Sequence, residues 1–274
     1  MLEFKMHTVK AAVIVESLEL YSEFLERDVK LDIYLPADFD PLVLYSLLLI
    51  NDGQDLPKMP FDTLLSELII TKQIESLIAI GIHCGVDRKM EYGTAYAADF
   101  EGRGSRAGLY SKFIFDELLP FIRKHLSITS FKDKSFAGFS LGALSALDIV
   151  WNHPNQFNKV GIFSGSLWWR RKAYEDGYDD EKDRLMHLQI RKADFYPWIK
   201  FFLQCGELDE NADRNNNGII DSIDDTLDLI VELKAKGYTD EHIEYLLLSD
   251  GKHDVPTWAN AFPAFLKWGY KIQK

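Results

Sequence analysis

The sequence is poor in the residues that staple a chain, cross a membrane or grip a polyanion. It has two cysteines, Cys84 and Cys205, in 274 residues, too few for a disulfide framework. Each follows an apolar run, the setting of a buried free thiol. No run reaches the length of a membrane span. Met1 to Lys10 has no apolar signal core, and Ala11 to Val15 is too short to be one. Basic residues are outnumbered, 31 Lys+Arg against 43 Asp+Glu, for a formal charge of −12. Phosphate contacts need a basic footprint, so this balance argues against a nucleic-acid partner and against docking on an anionic membrane. With Gly 17 and Pro 9, a collagen-like or low-complexity chain is excluded. The expectation is a soluble, cytoplasmic protein.

What the chain does have is core-forming residues, 47% hydrophobic and 13% aromatic, enough for one α/β domain over residues 1–274. Short apolar runs recur, each ending in a small or turn-forming residue: Leu44–Ile50, Leu77–Ile82, Ser135–Phe139, Lys159–Phe163, Trp198–Leu203 and Ile243–Leu248. They are continuous rather than alternating, as strands buried on both faces are. Between them lie helical faces such as Leu141, Leu144, Leu147 and Trp151, or Trp258, Phe262, Phe265 and Leu266. A third, Ile114, Leu118 and Ile122, contains Pro120, which predicts a kink or a rebuilt first turn. A fourth spans Asp225 to Lys236. Strands alternating with helices predict a mostly parallel sheet with helices on both faces. Val9–Val15 and Asp28–Leu35 precede it as antiparallel N-terminal strands. Function should then sit beyond the carboxyl ends of the parallel strands.

At one such end Gly138-Phe139-Ser140-Leu141-Gly142 fits G-x-S-x-G, entered by a strand and left by a helix. A sharp turn there would hold the Ser140 hydroxyl clear of the sheet as a nucleophile. Such a hydroxyl needs a base. His253, after the last buried run and before the final helix, is the best placed of the seven histidines. His83 falls before the nucleophile, and His125, His153, His187 and His242 read as surface residues. An orienting carboxylate would come from Glu207, Asp209 or Glu210. The order serine, acid, histidine is that of an α/β-hydrolase. The backbone N–H groups of Leu141 and of Gln54, in Asn51-Asp52-Gly53-Gln54-Asp55, are the candidate oxyanion donors.

With these residues in place the chain resembles the "putative-esterase" family of α/β-hydrolases, which includes enterochelin-type esterases, feruloyl esterases and S-formylglutathione hydrolase. Further marks are Asp116 to Ile122, His153-Pro154 ahead of Phe157, and Ser164-Gly165-Ser166-Leu167-Trp168-Trp169. The resemblance implies Ser140 as nucleophile, His253 as base, and Asp209 as acid with Glu207 as alternative. It also implies oxyanion donors at Leu141 and Gln54, and a serine carboxylester hydrolase working on a small-molecule ester through an acyl-enzyme. An acyltransferase of the same fold and a non-catalytic calcium-stabilised binding protein are the alternative readings.

The departure from the family is an acidic insert over 209–224. Asp213-Arg214-Asn215-Asn216-Asn217-Gly218-Ile219-Ile220-Asp221-Ser222-Ile223-Asp224 has the spacing of a twelve-residue calcium loop. Its expected ligands are Asp213, Asn215, Asn217, the Ile219 carbonyl, Asp221 and Asp224. Residues 170–196 are long and charged and read as a lid. Trp168, Trp169 and Arg88 are expected to line the substrate pocket. The Gly-rich Glu101 to Arg106 stretch lacks the Lys-Ser/Thr of a phosphate loop, so no organic cofactor is expected.

Overall fold

The structure is a computed structural model and describes residues 12–272. Residues 9–11 of the expected first strand, together with His7 and the rest of Met1–Lys10, lie outside the described residues.

Eight strands form one sheet: β1 Val13–Ser22, β2 Arg27–Pro36, β3 Ser46–Asn51, β4 Leu77–Ile82, β5 Lys134–Phe139, β6 Lys159–Phe163, β7 Lys200–Leu208 and β8 Ile243–Lys252. Their order is β1-β2-β4-β3-β5-β6-β7-β8. The β1/β2 and β2/β4 pairs are antiparallel, and the remaining pairs are parallel. This is the expected α/β-hydrolase-type sheet. The continuous runs β3, β4 and β6 are buried at every residue, which is why they carry no polar alternation.

The helices are α1 Phe61–Ile70, α2 Arg88–Glu91, α3 Ala107–Lys112, α4 Leu119–His125, α5 Leu141–Asn152, α6 Asp180–Asp183, α7 Leu185–Lys192, α8 Asp221–Lys236 and α9 Val255–Tyr270. They cover both faces of the sheet. Phe61 and Leu65 of α1 join Phe262 and Phe265 of α9 in one apolar cluster. Ile114, Leu144 of α5, Met186 of α7 and Leu229 of α8 share the other. Between α3 and α4 the backbone widens into a π-helical turn, Phe113–Leu118, and Pro120 then sits in the first turn of α4. A proline there lacks the N–H that would close the preceding turn, so the helix is rebuilt at that point as its sequence predicts.

Three expectations shift. Among the described residues the first strand is Val13–Ser22, which runs seven residues past the expected end at Val15. It is an edge strand with alternating exposed polar residues, so hydrophobicity under-reports it. Helix α8 begins at Asp221 rather than Asp225, capped at Ile220. The carboxylates of Asp221 and Asp224 thus lie in its first turn, where a helix dipole favours negative charge. His187 is buried rather than on the surface: its Nε2 lies 2.8 Å from the Asp225 carbonyl, and burial lowers its pKa to about 3. No described helix is long and apolar enough to cross a membrane.

Candidate active site

The order in which strands are added to the sheet reverses between the parallel neighbours β3 and β5. β3 leads to β4 on one side, and β5 lies on the other. At such a switch point the carboxyl ends of neighbouring strands open a crevice. The Asn51–Gln54 turn and the Ser140 turn leave these two ends side by side.

Ser140 stands between β5 and α5 with φ 54° and ψ −121°. Only glycine enters that region freely, and a residue with a Cβ is strained there by about 1–3 kcal/mol. Flanking contacts hold it: the Ser140 N–H donates to the Phe163 carbonyl at 2.9 Å, and the Ser166 N–H donates to the Ser140 carbonyl at 3.2 Å. The two glycines of the motif have steric reasons. A Cβ on Gly138 would lie 2.4 Å from the Gly142 carbonyl oxygen, and one on Gly142 would lie 2.5 Å from Asp52 Oδ2. Asn51 Nδ2 donates to the Gly142 carbonyl at 2.8 Å, which locks the turn at residues 51–54 to the Ser140 turn.

Leu141 is the first residue of α5, and Gln54 is the second of the 3-10 turn Gly53–Lys58. N–H groups in these positions have no partner within their own helix. The Gln54 side chain is anchored at both ends. Its Nε2 donates to Asp52 Oδ1 at 3.2 Å, and its Oε1 accepts from the Cys84 N–H at 3.1 Å.

His253 follows β8 and precedes α9. Asp254 caps that helix by accepting from the Thr257 N–H at 3.0 Å, and Thr257 Oγ1 accepts from the Lys252 N–H at 2.9 Å. The histidine is therefore pinned on both sides by backbone bonds. Its ring meets Trp258 edge to face at 5.4 Å, and its Nε2 lies 2.8 Å from Ser140 Oγ. Partial desolvation lowers the imidazole pKa. The Asp209 charge opposes that shift and the Arg88 charge adds to it.

Of the acids at the end of β7 and just beyond it, Glu207 is exposed while Asp209 is half-buried and lines the same cavity of about 310 Å³ as Ser140 and His253. Both Asp209 carboxylate oxygens are buried without a hydrogen-bond partner. Burial raises the Asp209 pKa, against the opposing influence of the Gly206 backbone, the Ser164 hydroxyl and His253. Glu210 also reaches this cavity but is engaged, its Oε1 accepting from the Ser222 N–H at 2.6 Å.

The expected pocket residues divide. Trp168 lines the cavity. Trp169 does not: it is fully buried, its ring filling the space where Gly93 and Gly104 lack side chains. Arg88 is occupied by a bidentate pair with the buried Asp52 carboxylate, Nε to Oδ1 and Nη2 to Oδ2 both at 2.7 Å. It braces the turn at residues 51–54 and is not left as a free guanidinium. Two further residues, read in the sequence only as a family mark, meet the site. Ser164 accepts from Trp258 Nε1 at 3.0 Å, tying α9 to the end of β6, and Ser166 Oγ lies 3.4 Å from Ser140 Oγ. The Ser-Gly-Ser turn at the end of β6 is the available signal.

Residues 170–196 carry α6 and α7 and are docked on α8. The buried Arg184 bonds Asp225 and Asp228, each at 2.7 Å. In the 209–224 insert, Asp213 accepts from the N–H groups of Asn217 at 3.1 Å and Gly218 at 2.9 Å. Asn215 and Asn217 each donate a side-chain amide to Asp224 Oδ2 at 2.8 Å. Asp221 turns to Arg214, accepting from its N–H at 2.9 Å with Nη1 at 3.2 Å. The carboxylates of the loop are therefore partnered rather than mutually exposed. Among the described residues no group of three or more His, Cys, Asp or Glu side chains is placed to hold a metal ion.

Several known proteins are similar to this chain in sequence or in fold. The Bacillus subtilis (strain 168) protein YjcH is 23% identical over 257 residues, 92% of this chain and 96% of its own. A ferulic acid esterase superposes with a TM-score of 0.71 at 17% identity, covering 94% of this chain and 98% of that one. The BES protein from Bacillus cereus does so at 0.68 and 17%, covering 99% and 100%. The enterobactin esterase FES from Shigella flexneri gives 0.72 and 18%, with 94% of this chain matched to 59% of that longer one. At these identities the structural likenesses are likenesses of fold. The model of the family described as "Putative esterase" matches residues 22–268, so the chain belongs to that esterase family.

Proposed function

We propose that the protein is a serine carboxylester hydrolase acting through an acyl-enzyme. The observation that carries this reading is the 2.8 Å approach of His253 Nε2 to Ser140 Oγ at a strained strand-to-helix turn. In this reading His253 takes the hydroxyl proton as Ser140 Oγ attacks the ester carbonyl. The N–H groups of Leu141 and Gln54 stabilise the oxyanion. The imidazolium returns the proton to the leaving alcohol, and a water activated by the same imidazole cleaves the acyl-enzyme. Asp209 supports the imidazolium by its charge. The cap over this site is residues 170–196, with the whole chain acting as one domain.

The test is turnover of a short 4-nitrophenyl ester across pH. Only neutral His253 accepts the proton, and its pKa is lowered. The acid limb of kcat/KM should therefore fall below about pH 6.5, the ordinary histidine value. A limb well above that value, or no turnover, would remove His253 from the role.

Calcium belongs to the same proposal as a structural ion in the insert, held by Asp213, Asn215, Asn217, the Ile219 carbonyl, Asp221 and Asp224. The support is the twelve-residue spacing of these oxygen-bearing residues, with Asn215, Asn217 and Asp224 held close to one another by hydrogen bonds. At a hundredfold excess over Kd, calcium should raise Tm by roughly 5–10 °C, and Asp213→Ala should abolish that rise. A melting curve indifferent to EDTA, calcium and magnesium leaves an ordinary Asn-rich turn.

A further inference from the structure

Beside the catalytic cavity lies a second one of about 320 Å³, and the two share Trp168 and Glu210 in their walls. We infer that Arg170 makes this second cavity a carboxylate subsite, so that the preferred ester carries a carboxylate at its far end. The inference rests on the esterase reading above and deepens it.

Arg170 sits among aromatic rings. Its guanidinium carbon lies 4.0 Å from the Tyr174 ring centroid, 4.6 Å from Phe100, 5.6 Å from Tyr178 and 5.8 Å from Trp168. Cation–π contact of this kind holds the flat group and strips its water without neutralising it. Its backbone is held as well: the Phe100 N–H donates to the Arg170 carbonyl at 3.0 Å, and Arg170 pairs with Arg184 in an isolated bridge.

The N–H edge of this guanidinium is not used by the chain. Nε is buried with no hydrogen-bond partner, and Arg170 joins no ion pair among the described residues. Its neighbours behave otherwise. Arg103 is paired with Asp99 and Glu101, Arg184 with Asp225 and Asp228, and Arg214 with Asp180, Asp221 and Asp225. An unpaired arginine is notable in a chain with 43 acidic and 31 basic residues.

The carboxylates that line the same cavity are each committed elsewhere. Glu101 lies 3.0 Å from Arg103, Asp221 is held by Arg214, and Glu210 accepts from Ser222. The fold thus places a half-buried, unpaired cation next to the nucleophile pocket and engages each lining acid with another partner. A planar, forked donor of this type matches a carboxylate, and the rings around it suit an alkyl or aryl spacer. The two cavities together fall within the range of small-molecule sites.

The test compares mono-4-nitrophenyl glutarate with 4-nitrophenyl valerate, which have acyl chains of equal length but end in a carboxylate and a methyl group. Wild type should favour the glutarate ester. Arg170→Gln should lower the glutarate-to-valerate ratio of kcat/KM roughly 10- to 100-fold, the range for a hydrogen bond to a charged group. Arg170→Lys, a point charge without the fork, should recover part of it. Titration calorimetry with glutarate alone reads the subsite without ester cleavage, and Arg170→Gln should weaken that binding by a similar factor. An unchanged ratio together with equal glutarate binding by wild type and Arg170→Gln overturns the subsite, and valerate turnover then leaves the esterase reading standing. Arg170-dependent glutarate binding without turnover of either ester overturns the esterase reading and keeps the subsite.

Discussion

Ser140→Ala is expected to lower kcat on an activated ester by on the order of a millionfold, the scale seen when a serine nucleophile is removed from a triad. Residual rate would come from the Leu141 and Gln54 donors, which the substitution leaves in place. The fold should be retained, because the turn is held by backbone bonds to Phe163 and Ser166 rather than by the hydroxyl. Stability gives a second readout. Alanine keeps the Cβ that is strained at φ 54° and ψ −121°, whereas Ser140→Gly removes it. The glycine variant should therefore melt above the alanine variant, since about 1–3 kcal/mol of strain exceeds the roughly 0.5–1 kcal/mol that glycine loses in entropy. Both should be inactive. Equal kcat for wild type and Ser140→Ala would end the nucleophile assignment. Identical melting of the two variants would show that the turn is unstrained.

The central sheet was legible in the sequence because strands buried on both faces leave a crude signal. β3, β4 and β6 read as unbroken apolar runs, and the small residues after them mark where the crevice opens. Ser140 was legible for the same reason, since it follows the buried run of β5, whereas His253 follows β8, an edge strand that is only partly buried, and was marked by the apolar run Ile243–Leu248 and the Gly-containing turn after it. β1 was harder, because an edge strand is half solvated and its polar alternation resembles loop. Arg88 and Trp169 were assigned to the pocket by residue type. Their destinations depend on contacts far along the chain: Asp52 is 36 positions from Arg88, and Gly93 and Gly104 open the slot for Trp169. No local pattern encodes either contact. Arg170 illustrates the same limit, because an unpaired guanidinium is recognised only once the neighbouring carboxylates are seen to be occupied.

The choice of acid is decided by where the charge lies relative to His253. Asp209→Asn should lower kcat on the order of 10⁴-fold, as loss of the orienting carboxylate does in comparable triads. Glu207→Gln should change it by less than about threefold, because Glu207 is exposed and outside the cavity. The pH profile separates a charge effect from simple damage. The Asp209 carboxylate raises the pKa of His253 against the lowering effect of burial. Removing that charge destabilises the imidazolium, so the acid limb of kcat/KM should move to lower pH in Asp209→Asn while the plateau falls. Asn is isosteric and neither Asp209 oxygen accepts a hydrogen bond that the substitution could break, so packing should survive and Tm should change little. A larger loss in Glu207→Gln than in Asp209→Asn would move the role to Glu207. A loss in Asp209→Asn with an unmoved acid limb would make Asp209 a brace for the β7–α8 segment rather than a partner of the imidazole.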